Sequence, residues 1–145
     1  MRTPIQPYNV VLRVSAKMLI PIILMFALYV LFHGESGPGG GFQAGVIFAA
    51  GFILYALVFG IETARAVVPG PVLRVLAATG LLLYIGVGIA ALFRGGNYLD
   101  YNVLAQDALA GQHLGILLIE SGIGITVAAV MIIIFYTFAE RGARE

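Results

Sequence analysis

The chain has 145 residues, of which 61% are hydrophobic and only 10% are charged. Water-soluble domains average about 45–50% apolar and about 25% charged residues, and they need that charge to cover their surface. Intrinsically disordered chains are excluded as well, because they require low hydrophobicity. The composition therefore predicts an integral membrane protein.

The charge balance and the absence of cysteine exclude further classes of protein. A formal net charge of +1 provides no basic surface for nucleic acid, so no nucleic acid partner is predicted. Without cysteine, the chain cannot form a disulfide, a thiolate nucleophile or a cysteine-ligated metal centre. The sequence also lacks a pairing of nucleophile with base and a metal-ligand cluster. We therefore predict no catalytic residue, no cofactor and no metal site, and a protein that is not an enzyme.

Four long apolar runs follow one another along the chain. About 20 apolar residues are needed to cross a hydrocarbon core about 30 Å thick, and each run approaches or exceeds that length. The runs are continuous, whereas a membrane β-barrel would show alternating segments of about ten residues. The sequence thus predicts an all-α integral membrane protein with four transmembrane helices, at roughly 10–32, 42–61, 73–93 and 114–138.

Basic residues are distributed unequally between the two sides of these spans. Seven of the eight lysines and arginines lie before or in the first turns of the first span, between the second span and the start of the third, or after the fourth. Only Arg94 lies on the opposite side. Because cytoplasmic loops carry the excess of lysine and arginine, the sequence predicts that both termini are cytoplasmic.

A glycine-rich segment separates the first two spans. No Gly-Lys-Ser/Thr sequence ends it, as a P-loop requires, and membrane helices flank it instead of the strand and helix of a dinucleotide site. Three interpretations remain open: a tight turn that uses positive φ angles, a partial re-entry into the membrane that presents backbone to an ion, and a docking loop for a partner subunit. The motif comprises Gly37, Pro38, Gly39, Gly40, Gly41 and Phe42.

Glu120 is the one acidic residue inside a predicted span. It follows His113 by seven residues, which corresponds to about 10 Å along a helix. A carboxylate in hydrocarbon is costly unless it is protonated or paired, so it marks a candidate functional site. Three interpretations remain open: a structural tie to another helix of this chain or of another subunit, a proton or cation relay, and a carboxylate that faces an outer aqueous vestibule.

Two histidines and a polar loop lie on the side opposite the basic residues. His33 and His113 are expected at the same outer boundary of the membrane, but the sequence specifies no carboxylates that would complete a metal site. The loop before His113 contains Asp100 and Asp107, whose spacing does not match a calcium-binding loop. We predict a solvated connector.

Small residues recur at intervals of four along the later spans. In lipid, such spacing lets helices approach each other closely. Packing within the chain and packing against neighbouring proteins both remain open. Examples are Gly45 and Ala49, Gly111 and Gly115, and Gly124 and Ala128, and Gly80, Tyr84 and Gly88 lie on one stripe of the third helix.

Two segments resemble a known family. Gly34-x-x-x-Pro38-Gly39-Gly40-Gly41-Phe42-x-x-Gly45, leading into an uncharged helix, resembles the signature of the MrpB/MnhB family of subunits of the multisubunit Mrp-type Na+/H+ antiporter. The segment Glu120-Ser121-Gly122-Ile123-Gly124-Ile125-Thr126-Val127 is similar to that family's acidic residue followed by a glycine-containing apolar run. The chain has Ala44-Gly45 where the family often has Gly-Gly. The resemblance covers nearly the whole chain and implies a single MnhB-like membrane domain over residues 1–145.

The resemblance also implies a function. The chain would be a non-enzymatic subunit of a multisubunit cation/proton antiporter in the cell (inner) membrane, where it scaffolds the complex, with lining of the cation or proton route left open. Its implied partners are the other Mrp-type subunits and the lipid bilayer, with Na+ and H+ as the transported ions of the complex. Two alternatives remain: a self-sufficient homodimeric proton-coupled cation exchanger that uses Glu120, and the equivalent subunit of a membrane-bound hydrogenase-like complex.

Overall fold

The computed structural model describes residues 7–34, 37 and 39–144. It is 85% helical, and the described residues contain no β-strand. Four of its helices are long and apolar enough to cross a membrane, which confirms the predicted all-α fold with four spans. The helices are α1 (Pro7–His33), α2 (Gly41–Phe59), α3 (Ile61–Val67), α4 (Gly70–Phe93) and α5 (Ala108–Gly142), and a short 3₁₀ turn covers Tyr101–Val103.

Several helix ends differ from the limits of the apolar runs, and two of them have a clear local cause. Helix α2 ends at Phe59 because Gly60 adopts a φ of 100°, a backbone conformation that glycine reaches without steric cost. Helix α5 begins six residues before the apolar run at 114, because the side chain of Asp107 accepts a hydrogen bond of 3.3 Å from the amide of Leu109. This N-cap satisfies one of the free amides at the start of the helix.

Helix α5 forms the centre of the bundle. It packs against α4 and α2, whereas α1 packs mainly against α2. Helix α2 runs in the same direction as α5, since its start contacts Glu120 and its later residue Ala56 belongs to the same buried cluster as Tyr136. The buried members of that cluster are Ala49, Ala56, Ala64, Leu73, Ala129, Ile132 and Tyr136.

Glycines allow the helices to pack with their backbones nearly touching. A methyl group on Gly45 of α2 would lie 2.7 Å from the carbonyl oxygen of Gly124 on α5. One on Gly80 of α4 would lie 2.6 Å from the carbonyl oxygen of Gly122. Thr126 donates a hydrogen bond of 3.3 Å to the Ala77 carbonyl across the same α4–α5 contact. At these positions, the small residues serve packing within the chain.

The outer surface of the bundle is apolar, most clearly along α1. Met25 exposes 71% of its surface and Ile22 exposes 61%. A helix that leaves such side chains uncovered suits a hydrocarbon environment or contact with another protein, and not water. This surface agrees with the membrane assignment from composition.

Candidate functional site

Helix α5 places Glu120 well inside its length. The residue lies twelve positions after Ala108, at about 18 Å from the start of the helix. It is half-buried, and the helix around it is apolar enough to span a membrane. The carboxylate therefore lies more than three turns inside a helix that is long and apolar enough to span a membrane.

The glycine-rich turn between α1 and α2 meets this carboxylate. A methyl group on Gly34 would lie 2.9 Å from Oε2 of Glu120, and one on Gly40 would lie 3.3 Å from Oε1. A methyl group on Gly41 would overlap the main-chain carbonyl oxygen of Glu120. The two features that stood apart in the sequence thus form one site, in which glycine backbone directly borders the carboxylate.

The turn keeps its shape through its own backbone. The amide of Gly37 donates to the carbonyl of His33 at 3.1 Å, and the amide of Gly40 donates to the carbonyl of Val30 at 3.4 Å. Gly40 has a φ of 140°, which favours glycine, and a methyl group on Gly39 would lie 2.7 Å from the Val30 carbonyl oxygen. The described part of the segment is a turn folded onto the end of α1.

The other residues of the predicted motif are placed differently. Phe42, in the first turn of α2, exposes 62% of its surface. Pro38 lies outside the described residues. Sequence reasoning missed Gln43, whose Oε1 would lie 3.1 Å from a methyl group on Gly40. An amide side chain at the start of an otherwise apolar α2 was the signal that could have identified it.

The two histidines lie near this site. His33 is the last residue of α1; its Nδ1 donates a hydrogen bond of 3.1 Å to the Tyr29 carbonyl, and its ring stacks on that of Tyr29 with centroids 4.0 Å apart. His113 is exposed on α5, about 10 Å along the helix from Glu120. Within the described part of the chain, no group of three or more His, Cys, Asp or Glu side chains could hold a metal ion.

The connector between α4 and α5 folds back onto the bundle. Asp100 caps the 3₁₀ turn by accepting a hydrogen bond of 3.3 Å from the Asn102 amide. Arg94 Nη1 donates to the carbonyls of Val103 and Leu104, at 3.4 and 3.3 Å. Tyr101 packs on α5, where a methyl group on Gly115 would overlap its ring. Burial raises the pKa of Tyr101, and the neighbouring Tyr84 raises it further.

Comparison with known proteins gives a consistent result. Residues 11–133 match the family described as "Domain related to MnhB subunit of Na+/H+ antiporter". The chain is also 34% identical, over 134 residues, to antiporter subunit mnhB2 of Staphylococcus aureus strains Newman, JH1 and COL. That alignment covers 90% of this chain and 94% of each relative.

The matched region contains both Glu120 and the glycine-rich turn. The predicted resemblance to the MrpB/MnhB family is confirmed. Four apolar helices and this membership agree in assigning the protein to antiport and ion transport in a membrane. The chain belongs to the MnhB family of Na+/H+ antiporter subunits.

Proposed function

We propose that the chain is a non-enzymatic, multi-pass subunit of a multisubunit Na+/H+ antiporter of the cell membrane, built as a single MnhB-like domain over residues 1–145. The family membership and the four long apolar helices support this proposal. Because its relatives are named as subunits, other subunits of the antiporter are its expected partners. The uncovered apolar side chains of α1 offer surface for a scaffolding role.

We further propose that both termini are cytoplasmic. Arg13 and Lys17 of α1 both lie near the ring of Phe59, at 5.7 and 5.9 Å from its centroid. Arg65 follows shortly after Phe59 and belongs to the same end of the bundle. A concentration of basic side chains at one end supports a cytoplasmic orientation of that end.

The site at Glu120 is proposed to contribute to the cation or proton route. The observation that carries this proposal is the contact between the Glu120 carboxylate and the main chain of Gly34 and Gly40. A carboxylate can hold either a proton or a cation, and oxygen atoms are the ligands that hard cations prefer. Gly34 and Gly40 bring no side chain of their own against that carboxylate, and the Gln43 amide lies beside Gly40.

The test replaces the carboxylate by an amide of the same size. The full-length chain with Glu120→Gln is co-expressed with the other subunits of its complex, and Na+-dependent proton release is measured in everted membrane vesicles. We expect transport to fall by about tenfold or more, as for loss of a proton-transferring group, while the complex still purifies intact. Glu120→Asp, which keeps the charge one methylene further back, should retain part of the activity.

Glu62→Gln is the matched control, because Glu62 is an exposed carboxylate in α3. It should leave transport unchanged. If Glu120→Gln instead disassembles the complex, Glu120 is a structural tie between helices. If transport persists unchanged, the carboxylate is not on the route.

A second experiment reconstitutes the chain alone in liposomes, where the subunit should be inactive. Sodium-proton exchange by the chain alone would establish the self-sufficient exchanger.

A further inference from the structure

A cavity of about 350 Å³ lies at the end of the bundle opposite the glycine-rich turn. It is formed where α3, α4 and α5 meet, between the start of α4 and the last turns of α5. Its polar lining includes two guanidinium groups, one carboxylate and two hydroxyl groups. The residues that matter are Arg65, Gly70, Arg74, Tyr136, Thr137 and Glu140.

Arg65 is held in this cavity by two side chains of α5. It forms an ion pair with Glu140 of α5, and its guanidinium carbon lies 5.0 Å from the centroid of the Tyr136 ring. The Tyr136 hydroxyl in turn donates a hydrogen bond of 3.0 Å to the carbonyl of Val68, which fixes the ring. Among the described residues, the shielded Nε of Arg65 has no acceptor. The guanidinium is thus oriented in advance and its donors are not all used.

Arg74 adds a second positive charge, for which the described part of the chain shows no ion pair. The ion pair between Arg65 and Glu140 does not include Arg74. Arg74 lies on α4 one turn after Gly70, the first residue of that helix, where main-chain amides and the helix dipole favour an anion. Glu140 neutralises Arg65 but leaves Arg74 uncompensated, so the cavity keeps a net positive charge.

We propose that this cavity binds a phosphate group, most directly that of an anionic phospholipid headgroup. Guanidinium groups match the geometry of phosphate oxygens and bind them through paired hydrogen bonds. Arg74 immediately precedes the apolar stretch of α4, so the cavity lies at the level where lipid phosphates border the hydrocarbon core. Basic pockets between transmembrane helices on the cytoplasmic side hold anionic headgroups in this way. Ile133 supplies an apolar wall beside the polar groups.

The experiment measures lipid binding to the full-length chain, purified in detergent with the subunits that accompany it and stripped of lipid. Phosphatidylglycerol or phosphatidylcholine is titrated back, and bound lipid is counted by native mass spectrometry. We expect Arg74→Gln to weaken phosphatidylglycerol binding about tenfold, as for loss of a hydrogen bond between charged groups, with little change for phosphatidylcholine. The matched control is Arg141→Gln, which removes the same charge outside the cavity and should change binding less than about twofold.

A competition arm distinguishes the two sources of phosphate. If millimolar inorganic phosphate displaces phosphatidylglycerol from the unsubstituted protein, the cavity also accepts free phosphate. If phosphatidylglycerol stays bound, the lipid headgroup is the ligand. Both results support a phosphate-binding site. Arg74→Lys keeps the charge but cannot form paired hydrogen bonds to phosphate, so it should lower the affinity for phosphatidylglycerol by less than Arg74→Gln does. This variant replaces Arg74→Gln in the test if Arg74→Gln fails to fold. Equal binding by Arg74→Gln and the unsubstituted protein, or an equal loss in Arg141→Gln, would overturn the proposal.

Discussion

Gly41, the first residue of α2, packs directly against the main-chain carbonyl of Glu120 on α5. The contact joins backbone to backbone, so neither partner can yield by changing a rotamer. It also brings the end of the glycine-rich turn to the carboxylate, whose oxygens border Gly34 and Gly40. The position of the candidate site therefore depends on the close approach of α2 to α5.

Gly41→Ala should disrupt this approach. The added methyl group would overlap the Glu120 carbonyl oxygen, and relieving that overlap requires a shift of the α2 backbone. We expect a loss of about 1–3 kcal/mol in the free energy of unfolding, which is the usual cost of overpacking. Thermal unfolding in detergent, followed by circular dichroism, provides the measurement.

The control for Gly41→Ala is Gly37→Ala in the same turn. Among the described residues, nothing lies within 4 Å of a methyl group on Gly37. Its melting temperature should therefore stay close to that of the unsubstituted protein. Equal melting temperatures for the two variants would show that α2 does not need glycine at position 41.

Two glycines of α4 allow a second comparison within one helix. A methyl group on Gly80 would overlap Thr126 Oγ1 on α5, whereas one on Gly86 has no described neighbour within 4 Å. Gly80→Ala should cost about 1–3 kcal/mol in the free energy of unfolding. Gly86→Ala should be neutral or stabilise by about 0.5–1 kcal/mol, because alanine favours helix over glycine. Chemical denaturation gives the free energy of unfolding of both variants. A less stable Gly86→Ala than Gly80→Ala would contradict the α4–α5 packing.

The ion pair of Arg65 and Glu140 should contribute little to stability by itself. The two side chains remain 33% and 50% exposed, so solvent screens their attraction. A double-mutant cycle with Arg65→Gln and Glu140→Gln should give a coupling free energy of about 0.2–1 kcal/mol that decreases as salt is added. A coupling several times larger, or one insensitive to salt, would show that the pair is shielded from water.

Tyr101 should make the stability of the fold depend on pH in the alkaline range. Burial raises its pKa above the usual value of 10.0, so the folded protein holds the phenolic proton more tightly than the unfolded chain. The resulting stabilisation is complete below the unfolded pKa and is lost as pH rises through the folded pKa. Tyrosinate absorbance, taken as the difference between the unsubstituted protein and Tyr101→Phe, should show a midpoint above 10.0. A midpoint at or below that value would contradict the burial of the phenol.

Local properties of the sequence were sufficient for the membrane class, the four helices and the family. Hydrophobic length is a property of each segment by itself, because the bilayer requires a helix to satisfy its own backbone within that segment. The ends of α2 and α5 differ from the limits of the apolar runs, because they depend on the positive φ of Gly60 and on Asp107 as a cap. Neither feature changes the hydrophobicity on which the predicted boundaries rest.

Only the tertiary structure decided which distant residues share a site. The Glu120 carboxylate and the glycine-rich turn belong to different helices, and no local pattern specifies that α2 runs alongside α5 in the same direction. The same holds for Arg65, Arg74 and Glu140 around one cavity. Glycines mark where backbones can approach, but the surface that each one meets depends on the packing of whole helices. The sequence by itself could thus identify Glu120 and the glycine-rich segment, while their association required the assembled bundle.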